Sequence, residues 1–255
     1  MHDNSKAAIS KVPEITLAFW VIKILATTLG ETGGDAVSMS MELGYLISTG
    51  IFAVIFFVSV SAQIATTSYN PLLYWTTIIA TTTVGTTLAD FADRSLGLGY
   101  AGGSTLLLGS FLLWYRLQGS ISTGSITTPR TELFYWVTIM FSQTLGTALG
   151  DWTADEAGFG YAGSTLLFGG MLAAIVAAYY LTRVSRTLLF WAAFILTRPL
   201  GAVVGDFLDK PLSKGGLELS RYSASFALLA AIATLVLIST LRNRQPVRAE
   251  LDIEQ

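Results

Sequence analysis

Trp20-Val21-Ile22-Lys23-Ile24-Leu25-Ala26-Thr27-Thr28-Leu29-Gly30-Glu31-Thr32-Gly33-Gly34-Asp35 decides the architecture, because its skeleton occurs four times along the chain. Ten residues after Trp20, Trp75, Trp136 and Trp191 stand Gly30, Gly85, Gly146 and Gly201. Fifteen residues after the same tryptophans stand Asp35, Asp90, Asp151 and Asp206, without a gap in any copy. Self-similarity of this kind marks a duplicated structural unit. Three copies continue with a Gly-Tyr pair, Gly44-Tyr45, Gly99-Tyr100 and Gly160-Tyr161, whereas the fourth has Gly215-Gly216. The second and third copies resemble each other most, and anchor spacings of 55, 61 and 55 residues suggest a pair of pairs.

Outward from these anchors the chain is apolar. Hydrophobic residues make up 52% and charged residues 13%, half the charged share of an ordinary soluble domain. Apolar runs fall near residues 15–35, 44–63, 73–92, 101–118, 132–152, 162–182, 187–207 and 221–241. Each approaches the ~20 residues that cross a bilayer core of ~30 Å. The expected fold is an all-α integral membrane protein of eight transmembrane helices, arranged as four two-helix repeats near 14–65, 70–119, 130–182 and 186–241. Residues 1–255 then form one transmembrane domain, with 242–255 as a cytoplasmic tail. Units with an even number of spans insert in one orientation, so their pseudo-symmetry axis runs along the membrane normal.

Charge sidedness gives the topology. With a cytoplasmic N-terminus, the inner segments hold Lys6, Lys11, Arg116, Arg130, Arg183, Arg186, Arg242, Arg244 and Arg248, against Arg94, Lys210, Lys214 and Arg221 outside. Nine against four places both termini in the cytoplasm. No cysteine is present, which excludes thiolate metal sites and disulfides, and the lone histidine, His2, reads as a tail residue. The first apolar run contains Lys23 and reads as a retained span rather than a cleaved leader.

The repeated tryptophans are expected at the membrane interface as lipid anchors. Gly30 and Gly34, Gly85 and Ala89, Gly146 and Gly150, Gly201 and Gly205 are small-xxx-small pairs, which let helix backbones approach closely. The first, third, fifth and seventh spans are therefore expected to form a central bundle, with the others outside. Steps of four define a polar face on each: Lys23, Thr27, Glu31, Asp35; Thr82, Thr86, Asp90; Gln143, Thr147, Asp151; Arg198, Ala202, Asp206. Charge facing lipid is costly, so these stripes should face one another.

The result is a convergent carboxylate cluster of Glu31, Asp35, Asp90, Asp151 and Asp206, the candidate metal ligands. Lys23, Thr27, Thr82, Thr86, Gln143, Thr147 and Arg198 would line the approach, and Asp93, Asp155 and Asp209, with Glu156, would form a solvated outer rim. Eleven of seventeen carboxylates, from Glu31 to Glu218, fall in the outer half, as expected of an electronegative vestibule. Oxygen ligands without sulfur or imidazole suit Mn²⁺, Ca²⁺, Mg²⁺, Na⁺ or H⁺. The same acids could instead form a structural ring paired to Arg94, Lys210 or Arg221. Lys23 and Arg198 are expected to pair with carboxylates; the alternative is an internal cation displaced during a transport cycle.

The Phe19-Trp20 span leading to Gly30-Glu31-Thr32-Gly33-Gly34-Asp35, with its three echoes, resembles a family of bacterial multi-pass "membrane-anchored" proteins of uncharacterised function. That resemblance covers nearly the whole chain and implies eight helices in a bacterial inner membrane. A fainter similarity is to calcium and manganese exchangers, whose repeats carry E-x-G-D-(K/R)-(S/T). Here Glu31 to Asp35 is one residue longer, Ala36 follows, and Thr86, Thr147 and Ala202 replace the glutamate in the other copies.

The expected function is secondary transport of a small inorganic cation, Mn²⁺ or Ca²⁺ foremost, exported by antiport against protons. A cation channel and a non-transporting membrane scaffold are the alternatives. No nucleotide-binding motif and no nucleophile paired with a base occurs in the spans, so no enzymatic activity is expected. The expected partners are the lipid bilayer and the cation, with no cofactor beyond that ion and no nucleic acid; a homo-oligomer is compatible with the pattern.

Overall fold

In the computed structural model, residue 11, residues 13–100, isolated positions within 102–116 and residues 129–251 are described. The first helix, α1 (Leu17–Asp35), begins where the Thr16 hydroxyl accepts a hydrogen bond from the Phe19 N–H at 3.3 Å. After α2 (Gly44–Ala65), helix α3 (Pro71–Asp90) begins in the same way, with Asn70 accepting from Leu73 N–H at 3.2 Å and Pro71 in the first turn. A short polar acceptor ahead of the first turn satisfies amide donors that have no partner inside the helix. Next come α4 (Pro129–Asp151), α5 (Gly160–Leu181), α6 (Arg186–Asp209) and α7 (Arg221–Leu251).

Helices α1, α3 and α4 end on the repeated aspartate, and each continues into one π-helical turn: Ala36–Ser40, Phe91–Ser95 and Trp152–Glu156. Each of these connections then reaches a left-handed glycine, Gly44, Gly99 or Gly160, with φ of 73°, 64° and 63°. A side chain there would strain the backbone, which explains the glycine of the Gly-Tyr pair. The fourth copy differs. Helix α6 runs past Asp206 to Asp209, and the chain turns back through Leu212–Lys214 and Gly215.

The four helices that carry the repeated aspartate form a closed ring, α1 against α3, α3 against α4, α4 against α6, and α6 against α1. Glycines set its tightness. A methyl group on Gly30 would lie 2.5 Å from Thr82, one on Gly85 3.0 Å from Gln143, and one on Gly146 2.5 Å from Arg198. Gly201 meets Thr27 in the same manner and closes the circle. The small face of each inner helix thus receives the polar stripe of the next copy. Outer helices follow the same offset: α2 packs on α3, α5 on α6, and α7 on α1. The span expected near 101–118 lies mostly outside the described residues.

Among the described residues four helices are long and apolar enough to cross a membrane: α2, α5, α6 and Arg221–Arg242 of α7, with mean hydropathy of 2.1, 1.7, 1.7 and 2.3. The expectation of eight apolar spans therefore holds for half that number. Helix α1 carries Lys23, Glu31 and Asp35, and α3 carries seven threonines. Their polarity follows from their place in the ring, because an inner helix touches protein where an outer one is exposed. Several of these hydroxyls bond back to their own helix, as Thr77 does to Leu73 O and Thr83 to Ile79 O, each at 2.8 Å.

Two of the four repeated tryptophans also depart from expectation. Trp75 and Trp136 are buried rather than set as anchors on the outside. They join Phe19, Tyr74 and Phe194 in one apolar cluster at the end of the ring opposite the aspartates. The cause is convergence: four inner helices bring their aromatic first turns to one axis, and the rings fill it edge to face, Tyr74 against Trp75 at 5.3 Å and Tyr135 against Trp136 at 5.3 Å.

Candidate cation site

At the opposite end the four repeated aspartates meet. Asp35, Asp90, Asp151 and Asp206 are all buried, and so is Glu31, one turn below Asp35. Oxygen atoms of Glu31, Asp151 and Asp206 lie within 4.8 Å of one another, as do those of Glu31, Asp35 and Asp90, and those of Asp35, Asp206 and Asp209. The convergence follows from the register: the last turn before each π-helical turn, or its equivalent in α6, presents its acid to the axis.

Basic side chains enter the same cluster. Arg198 Nη2 lies 2.9 Å from Glu31 Oε2 and donates to Thr86 Oγ1 at 2.6 Å and to the Thr147 hydroxyl, while its Nη1 donates to Thr27 O at 3.3 Å. One guanidinium therefore spans all four copies. Above it, Lys210 Nζ lies 2.5 Å from Asp35 Oδ2 and 2.9 Å from Asp206 Oδ1. Arg94 lies 2.9 Å from Asp90 and 3.6 Å from Asp151, and Arg221 lies 2.8 Å from Asp209 and 3.7 Å from Asp35. Breaking any such pair in a buried setting strands the partner charge.

The pairing is incomplete. Six carboxylates, Glu31, Asp35, Asp90, Asp151, Asp206 and Asp209, face four cationic side chains. Asp151 is the least compensated: both of its oxygens are buried without a hydrogen-bond partner, and its nearest cation is Arg94 at 3.6 Å. Asp35 Oδ1 and Asp209 Oδ1 are likewise unpartnered. Buried oxygens of this kind call for a proton or a cation.

The other expected site residues divide. Thr27, Thr86 and Thr147 lie around Arg198. Thr82 and Gln143 sit against Gly30 and Gly85, and Thr82 Oγ1 and Gln143 Oε1 have no hydrogen-bond partner. Lys23 does not pair with an acid. Its buried amine has no hydrogen-bond partner and stands 4.3 Å over the Phe194 ring, because the aromatic end supplies no carboxylate at its level.

The rim is not uniformly solvated either. Asp155 and Glu156 are exposed, and Asp155 accepts hydrogen bonds from Tyr100 at 3.0 Å and Tyr161 at 3.2 Å. Asp93 and Asp209 are buried, since the turns that carry them fold over the cluster. Burial pushes the Asp93 carboxyl up to about 6, against the pull of Arg94 and with the help of Glu156.

Arg94 and Lys210, expected in outer segments and as partners of a structural ring, both stand in the cluster. A signal for them exists in the sequence: each follows a repeated aspartate by four residues, the spacing that stacks side chains on one helical face. The tie between Thr32 and Ser225 at 2.9 Å, which fastens α7 to α1, has no such signal.

A family model described as a repeat of unknown function (DUF347) matches the chain four times, over residues 18–69, 73–120, 134–185 and 189–245. No curated protein and no solved structure matches it, calcium and manganese exchangers included.

Proposed function

The chain belongs to the family built from this repeat of unknown function, and from that premise we propose that it is an eight-span secondary transporter of a small inorganic cation. The observation that carries this reading is Asp151, a buried carboxylate with neither oxygen hydrogen-bonded, beside Glu31 and Asp206. A surplus of two carboxylates suits a divalent cargo, and oxygen-only ligation favours a hard ion such as Mn²⁺ or Ca²⁺. Helices α1 and α4 pack on α6, which is apolar enough to span, and α3 packs on both of them, so the four cross together. The excess of lysine and arginine on the other side turns the carboxylate end outward.

The aromatic cluster favours a carrier over an open pore. Phe19, Tyr74, Trp75, Trp136 and Phe194 block the axis below Lys23, while a cleft of about 670 Å³ beside them is lined by Glu14, Phe19, Ile22, Trp75 and Arg242. Alternating access then requires the aromatic seal and the charged end to open in turn. The decisive experiment is reconstitution in liposomes with Mn²⁺, Ca²⁺, Mg²⁺ and Na⁺ gradients and a pH-sensitive dye, wild type beside Asp151→Asn. Flux of one ion that the substitution abolishes supports transport. No flux for any ion ends this reading.

A second reading has its own support. Arg198, Lys210 and Arg94 each bridge two or more copies, as a structural clasp would. A scaffold of this kind predicts that Asp151→Asn shifts the unfolding midpoint and has no ion flux to alter.

A further inference from the structure

The fourth copy breaks the repeat at one place, and that place lies over the carboxylates. Where the first three copies form a π-helical turn, α6 continues to Asp209 and is followed by Lys210. Residues 217–219 then fold back along 207–210: Leu217 N–H donates to Phe207 O at 2.8 Å, Glu218 N–H to Lys210 O at 2.9 Å, and Leu219 N–H to Leu208 O at 2.9 Å. Gly216 presses on the Lys210 carbonyl so closely that a methyl group would not fit. The Lys210 backbone is thus held from both sides.

The Lys210 ammonium stands among buried carboxylates, with Arg221 on the far side of Asp209 and Asp35. Asp35, Asp206 and Asp209 offer three oxygens within 4.8 Å of one another, and the ammonium sits 2.5 Å from the first and 2.9 Å from the second. Asp35 Oδ1 and Asp209 Oδ1 remain without a hydrogen-bond partner although both residues are buried, so the lysine leaves ligand capacity unused. An ammonium can offer three N–H donors but brings a single charge. A divalent ion in its place would meet the same oxygens with twice the charge, and the surplus of carboxylates would absorb the difference.

We propose that Lys210 is a tethered occupant of the Asp35–Asp206–Asp209 site, and that a small inorganic cation, divalent by preference, binds there by displacing the ammonium together with the 210–219 connection. For the fate of the bound ion this rests on the transport reading; for the competition it does not. The lysine makes occupancy conditional: the site is charged and closed without cargo, and cargo must overcome an intramolecular competitor of high effective concentration.

The experiment is calorimetric titration of the full chain in lipid nanodiscs with MnCl₂ and, separately, CaCl₂, comparing wild type with Lys210→Met, Lys210→Arg and Gly216→Ala. Lys210→Met should bind one of the two ions at least about tenfold more tightly, and Lys210→Arg should not. Gly216→Ala keeps every charge and only disturbs the tether, so it should bind more tightly too and serves if Lys210→Met fails to fold. Equal or weaker binding in a folded Lys210→Met, or in Gly216→Ala where Lys210→Met does not fold, or no binding of either ion in any variant, overturns the proposal. Tighter binding without liposome flux in any variant sustains it and ends the transport reading. Flux in the wild type with unchanged binding in the variants does the reverse.

Discussion

The two ends of the inner ring are built by the same four helices and closed by opposite means. At one end aromatic rings and Ile22, Ile78 and Ile139 fill the axis; at the other, six carboxylates and four cationic side chains do so. The aromatic end is held by contact and tolerates no void. The carboxylate end is held by partners and tolerates no missing charge. One repeat therefore carries an apolar closure and a charged one, fifteen residues apart on the same helix.

The largest expected effect breaks the carboxylate end. Arg198→Met strands Glu31 and removes donors to Thr86 and Thr147, and should destabilise the protein by about 3–5 kcal/mol, read from unfolding in detergent. Adding Glu31→Met should recover most of that loss; failure to recover would mean that the guanidinium acts through packing and not through charge.

Next comes the aromatic end, where Trp136→Ala should cost about 3 kcal/mol by opening a cavity, with a loss that does not depend on salt or pH. A salt-dependent loss would contradict the division between the two ends. Lys23 is the exception within the aromatic end and sharpens the comparison by its sign. Lys23→Met removes an unpartnered buried amine, and should stabilise by about 1–3 kcal/mol. Destabilisation would show that the contact with Phe194 matters more than the missing partner.

The smallest effect concerns pH. Because burial lifts the Asp93 carboxyl to about 6, the folded chain holds a proton that the unfolded chain, with an ordinary value near ~4, has already lost. Stability from this group is therefore present at low pH and falls as pH rises through the window between those values. Asp93→Asn should raise the unfolding midpoint at pH 7 and leave it unchanged at pH 4. A change of equal size at both would assign the effect to packing.

Much of this is legible in the sequence itself. The spacing of Trp20, Gly30 and Asp35, and its three copies, determines an inner helix with a glycine face, a polar stripe and a terminal acid, because side-chain direction on a helix follows from residue number alone. Four equivalent stripes that cannot face lipid must face one another, so the meeting of Asp35, Asp90, Asp151 and Asp206 is a consequence of the sequence pattern. Arg94 and Lys210, four residues past Asp90 and Asp206, belong to the same pattern. Tertiary structure alone decided that Arg198 ends in reach of three threonines from three other copies and that Lys23 is left over Phe194 with no acid at its height. These outcomes depend on how neighbouring copies are offset around the ring, a distance between chains of atoms that no single helix records.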